Sequence, residues 1–326
     1  MKKLLCILLN ILMIFATLTF VGCKKDAPAL KIGLGVYTTV SATSADGEVD
    51  GQGKATVTVA TVLVDADGKV VSCQLDVADN TVKYTAEGKP MVYYGLKTKY
   101  EQGTDYNMKA YGGAAKEWFE QADAFEGVVA GKTLNEIKSL VAAENKGTDE
   151  VINAGCTIMV NEFVNAVEKA ITNAVDSAAT AESTLKLGVY TEQTCKDAEE
   201  EKDGQSKLET TVFAAALDAD GKIVAALSDC VQVTFTFDTK GASTFDSTKP
   251  VISKRDAGDS YGMKAYGGAA KEWHEQADAF NTACIGKTPK EVASLMANDN
   301  YGNADVKASG CTILVNGFVK AAEKIG

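Results

Sequence analysis

The sequence has one histidine, His274, among its 326 residues, and its only tryptophans are Trp118 and Trp273. It contains no Cys-x-x-Cys, His-Glu-x-x-His or Gly-x-Ser-x-Gly motif. These absences exclude the common zinc sites, the paired-cysteine redox motif and the nucleophile turn of serine hydrolases. Any chemistry must therefore come from other side chains or from a bound cofactor.

Basic residues are in the minority. The chain has 33 lysines and arginines against 44 aspartates and glutamates, which gives a formal net charge of −11 at pH 7. An acidic surface argues against nucleic-acid binding, because that binding depends on basic patches that neutralise phosphates. It also argues against docking on anionic lipid through charge.

The N-terminal segment has the pattern of a secretory signal. Two lysines at positions 2–3 precede an apolar run over residues 4–20, a combination typical of signal peptides. Residues 20–23, Phe-Val-Gly-Cys, resemble a bacterial lipobox, in which the cysteine is lipidated. An uncleaved transmembrane anchor is the alternative, since the run is just long enough to span a bilayer.

The polar residues directly after Cys23 favour the lipoprotein over the anchor. We therefore expect residues 1–22 to be a lipoprotein signal peptide, Cys23 to carry the lipid and residues 23–29 to form a tether. The rest of the chain would be extracytoplasmic and attached to the cell membrane through its N-terminal lipid.

An internal repeat sets the domain organisation. Residues 108–118 recur without change as residues 263–273, and Cys156-Thr157 recurs as Cys311-Thr312 at the same separation of 155 positions. A period of this size is that of a domain. The sequence therefore predicts two tandem homologous domains, residues 30–175 (copy 1) and residues 185–326 (copy 2).

Each copy changes from a strand pattern to a helix pattern along its length. Residues 56–64 are β-branched and alternating, and an Asp-Gly turn at 67–68 leads into a returning strand. Downstream, Thr133 and Glu136 have the spacing of a helix-starting capping box, which Thr288 and Glu291 repeat. We predict an α+β fold in which each copy is a small, mostly antiparallel sheet packed with helices.

Six cysteines remain once Cys6 is assigned to the signal and Cys23 to the lipid. An even number in an exported protein suggests disulfides. However, only Cys156 and Cys311 occupy equivalent positions of the repeat. We expect mostly free thiols, with at most one or two bridges in copy 2.

The Gly-Cys-Thr turns are the first candidate site. In both copies the turn precedes a segment with helical spacing of apolar residues, so Thr157 and Thr312 are expected at the start of a helix. The first turn of a helix has unpaired N–H groups and a partial positive charge, and it can therefore hold a phosphate. The threonine can cap the helix, bind a phosphate or be modified by one.

The Tyr-Gly-Gly segments are the second candidate site. Paired glycines, at 112–113 and 267–268, allow a ligand or another backbone to approach closely. Lys109 and Lys264 lie just upstream and are of the right type to pair with a phosphate, with plain solvent exposure as the alternative. The tryptophans at 118 and 273 fit core packing or stacking on a ligand.

The end of each copy resembles the FMN-binding domain found in exported flavoproteins and in subunits of sodium-pumping and Rnf-type redox complexes. That family ends in a Ser-Gly-Ala-Thr turn before an amphipathic helix, and a flavin transferase joins the FMN phosphate to the threonine. Residues 309–312 match this turn in three of four positions and residues 154–157 in two. Cysteine replaces the alanine in both, and Val306 and Val151 stand where the family has an acidic residue.

The resemblance implies FMN as the cofactor, bound non-covalently or joined through threonine, with a flavin transferase and redox proteins as partners. The expected cofactor-binding residues combine the turn positions of this resemblance with the lysines and paired glycines named above: Lys109, Gly112, Gly113, Gly155, Cys156, Thr157, Lys264, Gly267, Gly268, Ser309, Gly310, Cys311 and Thr312. The expected function is that of an electron carrier rather than an enzyme with its own substrate. A cofactor-free ligand-binding or structural lipoprotein on the same duplicated fold is the alternative, because fold does not decide function.

Overall fold

A computed structural model describes residues 28–326 of the chain. The expected signal peptide and the lipidation site Cys23 lie outside the described residues. Both copies lie within them, so the following description covers the two repeated units.

Each copy contributes three long antiparallel strands. The strands are β1 (Lys31–Thr43), β2 (Gly51–Val64), β3 (Val70–Tyr84), β4 (Val175–Asp176), β5 (Thr184–Lys196), β6 (Gly204–Leu217) and β7 (Ile223–Phe237). One sheet has the order β3-β2-β1-β4 and the other the order β5-β6-β7. The short β4 extends the first sheet by pairing with the start of β1.

Helices follow the strands in both copies. The α-helices are α1 (Lys99–Gln102), α2 (Trp118–Val129), α3 (Leu134–Lys138), α4 (Asp149–Ala154), α5 (Asn161–Thr172), α6 (Lys254–Ala257), α7 (Trp273–Cys284), α8 (Ala304–Ser309) and α9 (Asn316–Glu323). Short 3-10 helices span Gly103–Tyr106, Ala143–Asn145, Gly258–Tyr261 and Pro289–Leu295. The predicted α+β fold, a small antiparallel sheet with helices in each copy, is confirmed.

The hairpin turns form as the sequence predicts. The Asp65 carboxylate accepts hydrogen bonds from the backbone N–H groups of Asp67 and Lys69, both at 2.9 Å, and Gly68 adopts a φ of 77°. Asp218 closes the β6–β7 turn in the same way, with Gly221 at a φ of 73°. Glycine takes this left-handed conformation without a steric penalty.

Two glycines of strand β1, Gly33 and Gly35, lie against helix α5. Side chains at Gly33 and Gly35 would overlap the carbonyl oxygens of Ala170 and Ala166 on α5. The glycines therefore let α5 lie directly on the sheet. The returning strand β3 runs unbroken from Val70 to Tyr84.

The two sheets face each other, and the helices of each copy cover the outer face of its own sheet. Alternate side chains, such as Leu34, Val59 and Val212, meet in an inner core shared by both copies. The intervening positions, such as Val62, point outward beneath α2 and α5, and a matching outer core lies beneath α7 and α9. The result is a four-layer helix-sheet-sheet-helix arrangement built on the two-residue period of the strands.

Contacts between the copies are reciprocal. Lys169 of α5 pairs with Asp256 of α6 at 2.5 Å, and the equivalent Lys324 pairs with Glu101 of α1 at 2.6 Å. Tyr84 and Phe237, each the last residue of its strand, stack on one another with ring centroids 4.2 Å apart. Exchanged contacts of this kind define an approximate two-fold axis, as in an isologous dimer.

Backbone hydrogen bonds between the two copies are reciprocal as well. The Ala45 N–H donates to the Gly241 carbonyl at 2.8 Å, and the equivalent Ala198 N–H donates to the Gly88 carbonyl at 2.9 Å. The six cysteines of the described part, at 73, 156, 195, 230, 284 and 311, are all free. Packing and hydrogen bonds rather than disulfides therefore join the two copies.

Thr133→Ala should destabilise the protein by about 0.5–2 kcal/mol, the usual cost of a lost N-cap. Thr133 is the N-cap of α3, and its side chain accepts the backbone N–H of Glu136, a bond that alanine cannot make. Urea unfolding measures the loss, and any flavin content should stay unchanged. Thr172→Ala, at the exposed end of α5, is the control, and an equal loss there would contradict the capping role.

Candidate ligand clefts

Each copy has a cleft between its sheet and its helices. Cleft 1, of about 550 Å³, is lined by Thr58, Val77, Lys99, Tyr106, Met108, Trp118, Asn145, Lys146, Thr157, Ile158, Met159, Asn161, Glu162 and Phe163. Cleft 2, of about 490 Å³, has as its lining Glu192, Lys207, Glu209, Thr211, Cys230, Gln232, Lys254, Tyr261, Met263, Trp273, Tyr301, Thr312, Ile313, Leu314, Asn316, Gly317 and Phe318. Both volumes lie within the range of small-molecule sites.

The two clefts are equivalent positions of the repeat. Every residue of cleft 1 except Asn145 has its counterpart in the lining of cleft 2. Val77 and Cys230, at matching positions of β3 and β7, also belong to the outer cores, so both clefts open on the helix-covered side of their sheets. The clefts therefore lie on opposite sides of the double sheet.

Thr157 and Thr312 line the clefts and are exposed. The N–H and the hydroxyl of Thr157 both donate to Gln121 Oε1, at 2.8 and 3.0 Å. Those of Thr312 donate in the same way to Gln276 Oε1, both at 2.9 Å. The buried glutamine thus fixes the threonine at the rim of the cleft.

The turn differs from the sequence-based expectation in where the helices begin and end. Gly155 ends α4 at a φ of 106°, and the N-cap of α5 is Val160, so Thr157 lies between two helices. Gly310 and Val315 occupy the same places around Thr312. The prediction that these threonines start a helix is therefore wrong, because the glycine closes the preceding helix in the left-handed conformation.

The left-handed backbone of these two turns, with φ of 106° at Gly155 and 102° at Gly310, requires glycine, and a lysine crosses each turn. Lys116 Nζ donates to the carbonyl of Ala154 at 3.3 Å, and a side chain at Gly155 would overlap that ammonium. Lys271 makes the equivalent bond to the carbonyl of Ser309 at 3.1 Å. The lysine satisfies a free carbonyl at the helix C-terminus, where a positive charge is favourable.

A second lysine, which sequence reasoning missed, lies inside each cleft. The Lys99 side chain is 15% exposed, and its Nζ lies 5.3 Å from the ring centroid of Tyr106 and 5.9 Å from that of Trp118. The Lys254 side chain is 11% exposed, at 5.7 and 5.6 Å from the equivalent rings. These are distances at which a ring face attracts a cation.

A carboxylate pairs with this lysine in both copies, but from a different strand. Lys99 Nζ lies 3.4 Å from Asp79 on β3, whereas Lys254 Nζ lies 3.5 Å from Glu209 on β6. Asp79 faces Thr56 across the first sheet, and at the equivalent positions Gln232 faces Glu209. The two carboxylates therefore occupy non-equivalent positions on different strands, whereas the two lysines occupy equivalent positions of the repeat.

The pairing shifts the titration of both partners in copy 2. Burial raises the pKa of Glu209, but the Lys254 charge and the Gln232 amide outweigh it and hold that pKa below its usual value. Burial would lower the pKa of Lys254, whereas Cys230 and Glu209 raise it above its ordinary value. In copy 1 burial raises the pKa of Asp79, but the Lys99 charge together with Lys54 and the Thr56 hydroxyl outweighs it and lowers that pKa. In copy 2 both partners of the ion pair are therefore charged at neutral pH.

The other residues named from the sequence lie outside the clefts. Lys109, Lys264 and the glycines at 112, 113, 267 and 268 are in exposed loops, beside tyrosines at 111 and 266 that are 89% and 92% exposed. Cys156 and Cys311 are buried in the outer cores, and burial raises the pKa of Cys156 to about 11. The Ser309 hydroxyl donates to the Val306 carbonyl at 2.7 Å.

The lysines missed in the sequence are themselves part of the internal repeat. Lys99 and Tyr106 recur as Lys254 and Tyr261 at the same separation of 155 positions as the 108–118 segment. Extending that repeat upstream would have found them, although isolated identities are weaker than an unbroken run.

Comparison with protein-family models, curated proteins and solved structures found no match. Within residues 28–326, no three His, Cys, Asp or Glu side chains are grouped so as to hold a metal ion. The same residues form no helix that is long and apolar enough to cross a membrane. The paired clefts are therefore the structural basis for a functional hypothesis.

Proposed function

We propose that the chain is a membrane-anchored extracytoplasmic flavoprotein that holds FMN in clefts 1 and 2 and relays electrons. The observation that carries this proposal is the recurrence of one cleft lining in both copies, with threonine at the rim and lysine between aromatic rings. The similarity of residues 309–312 to a flavin-attachment turn adds support. When bound, FMN supplies the redox chemistry.

The cleft residues suit the parts of FMN. The Thr157 hydroxyl lies at an exposed rim, where a phosphate can reach it or be joined to it. Lys99 and Lys146 supply positive charge in cleft 1, and Tyr106 and Trp118 supply aromatic surface for a flat ring. Cleft 2 offers the same combination with Lys207 and Lys254.

A cofactor-free binding or structural lipoprotein is the second candidate, and a specific observation favours it. The hydroxyls of Thr157 and Thr312 are already hydrogen-bonded to glutamine, and Gly155 and Gly310 are explained by the left-handed conformation with which they end a helix. The whole turn therefore has a structural reason to recur without any ligand.

Intact-mass analysis of protein from the native host should show up to two added FMN-phosphoryl groups. Thr157→Ala should remove one and Thr312→Ala the other, because each hydroxyl is the only attachment atom proposed in its cleft. Thr133→Ala is the matched control and should keep both groups. An unmodified mass with no flavin absorbance in the protein would reject the flavin proposal and leave the cofactor-free alternative.

A further inference from the structure

We infer that Lys99 and Lys254 favour the reduced form of the ligand ring over its oxidised form, and so set the redox potential in each cleft. The inference rests on the proposed function, because it takes FMN as the ligand. It assigns a role to two cleft residues that are not part of the threonine turn.

The first support is where these lysines lie. At 15% and 11% exposure they are sheltered, whereas Lys109 and Lys264 are exposed in the neighbouring loops. Lysine is rarely buried unless it is paired, because desolvation of its charge costs free energy. Here a carboxylate and two ring faces offset that cost in each copy.

The second support is the exchange of the acid between strands. Asp79 gives way to Gln232, and Thr56 gives way to Glu209, yet the lysine remains in contact with one carboxylate. A lysine that only neutralised a carboxylate at the position of Asp79 would have no partner in copy 2, where Gln232 occupies that position. What both copies keep is a partly neutralised ammonium that faces the cleft.

The third support is the difference in exposure between the threonine and the lysine that line the same cleft. Thr157 is exposed at the rim, and Lys99 is sheltered between Tyr106 and Trp118. With the phosphate at the threonine, the ring is the part of FMN left to reach the lysine. Charge beside a flavin ring tunes its electronics, and the effect is stronger where water is excluded.

The lysine acts on charge and does not transfer a group. An oxidised flavin ring that accepts two electrons and one proton gains one negative charge. In vitro, a chemical reductant such as dithionite supplies the electrons, and solvent supplies the proton. The ammonium attracts the reduced ring more than the neutral oxidised ring, and this difference raises the midpoint potential.

The test is a reductive titration of the full-length protein loaded with FMN, followed by absorbance against a reference dye. Lys99→Met and Lys254→Met should each weaken binding of the reduced ring about tenfold relative to the oxidised ring. A tenfold change corresponds to a drop of about 30 mV in the potential of that site. Lys109→Met and Lys264→Met are the matched controls and should leave both potentials unchanged.

Lys99→Arg and Lys254→Arg keep the charge and should restore most of the potential, which separates charge from packing. Tryptophan fluorescence checks that each variant is folded. Unchanged potentials in folded methionine variants would overturn the inference. So would a loss of affinity for FMN without any loss for riboflavin, because the lysine would then bind the phosphate. A wild-type protein that binds no flavin in either redox state would reject the proposed function itself.

Discussion

Phe235→Ala is expected to destabilise both copies together, by about 3–5 kcal/mol. Phe235 is on β7 of copy 2 and is fully buried in the inner core, which it shares with residues of β1, β2 and β3. Its ring lies 4.8 Å from that of Phe245 and against Gly53 of copy 1. Truncation therefore leaves a cavity that borders both sheets.

The two tryptophans allow each copy to be followed separately, since Trp118 lies in copy 1 and Trp273 in copy 2. Urea unfolding in Trp118→Phe and Trp273→Phe backgrounds should show the same shift from Phe235→Ala with either reporter. A shift confined to Trp273 would show that the copies unfold independently and that the inner core is not a common one.

Gly53→Ala tests the same contact from the other copy. The added methyl group would overlap the Phe235 ring, and overpacking of this kind costs about 1–3 kcal/mol. In the double variant the alanine fills part of the space left by the phenyl ring. The combined loss should therefore be smaller than the sum of the two single losses.

Glu126→Gln is expected to stabilise the protein at pH 8 by about 2–4 kcal/mol and to have little effect near pH 4. Burial raises the pKa of Glu126 from 4.5 to about 8, and the charges of Asp123 and Asp76 add to the shift, although the Leu75 N–H opposes it. Burial likewise raises the pKa of Asp76 to about 6. Three acidic side chains thus lie together in copy 1.

The sign of the effect follows from proton binding. Between pH 4.5 and 8 the folded protein holds a proton on Glu126 that the unfolded chain has released. Stability therefore falls as the pH rises through this range. Glutamine has no charge to bury and can still accept the Leu75 N–H bond, which Glu126 Oε1 accepts at 2.6 Å.

Copy 2 contains a natural counterpart of this substitution. Asn281 stands in the place of Glu126, and Arg255 stands in the place of Tyr100, where it pairs with Asp278 at 2.7 Å. Unfolding of Glu126→Gln at several pH values, with the exposed Asp123→Asn as control, measures the prediction. A stability difference that is the same at every pH would show that Glu126 is not the titrating group.

Local features of the fold could be read from the sequence because they depend on neighbouring residues. The Asp-Gly turns and the Thr133–Glu136 capping box are of this kind, and both are present. The face-to-face packing of the sheets depends on residues far apart in the chain. In the sequence, this packing is reflected only in the apolar character of β2. Residues 57–64 of β2 are all buried because the strand is covered on both faces.

The clefts were only partly predictable for the same reason. Thr157 and Thr312 were found because they belong to a short contiguous motif. Lys99 is a candidate site residue because of its contacts with Asp79, Tyr106 and Trp118, which the fold brings together from separate elements. In copy 2 the acid comes from another strand, so comparison of the copies position by position hides the pair.

Because the clefts lie on opposite sides of the double sheet, one cleft opens on each of two opposite faces of the molecule. Stacked sheets lie about 10 Å apart, so ligands in clefts 1 and 2 are separated by more than that distance. A protein that docks over one cleft leaves the other uncovered. Under the proposed function, the chain can therefore engage a donor on one face and an acceptor on the other at the same time.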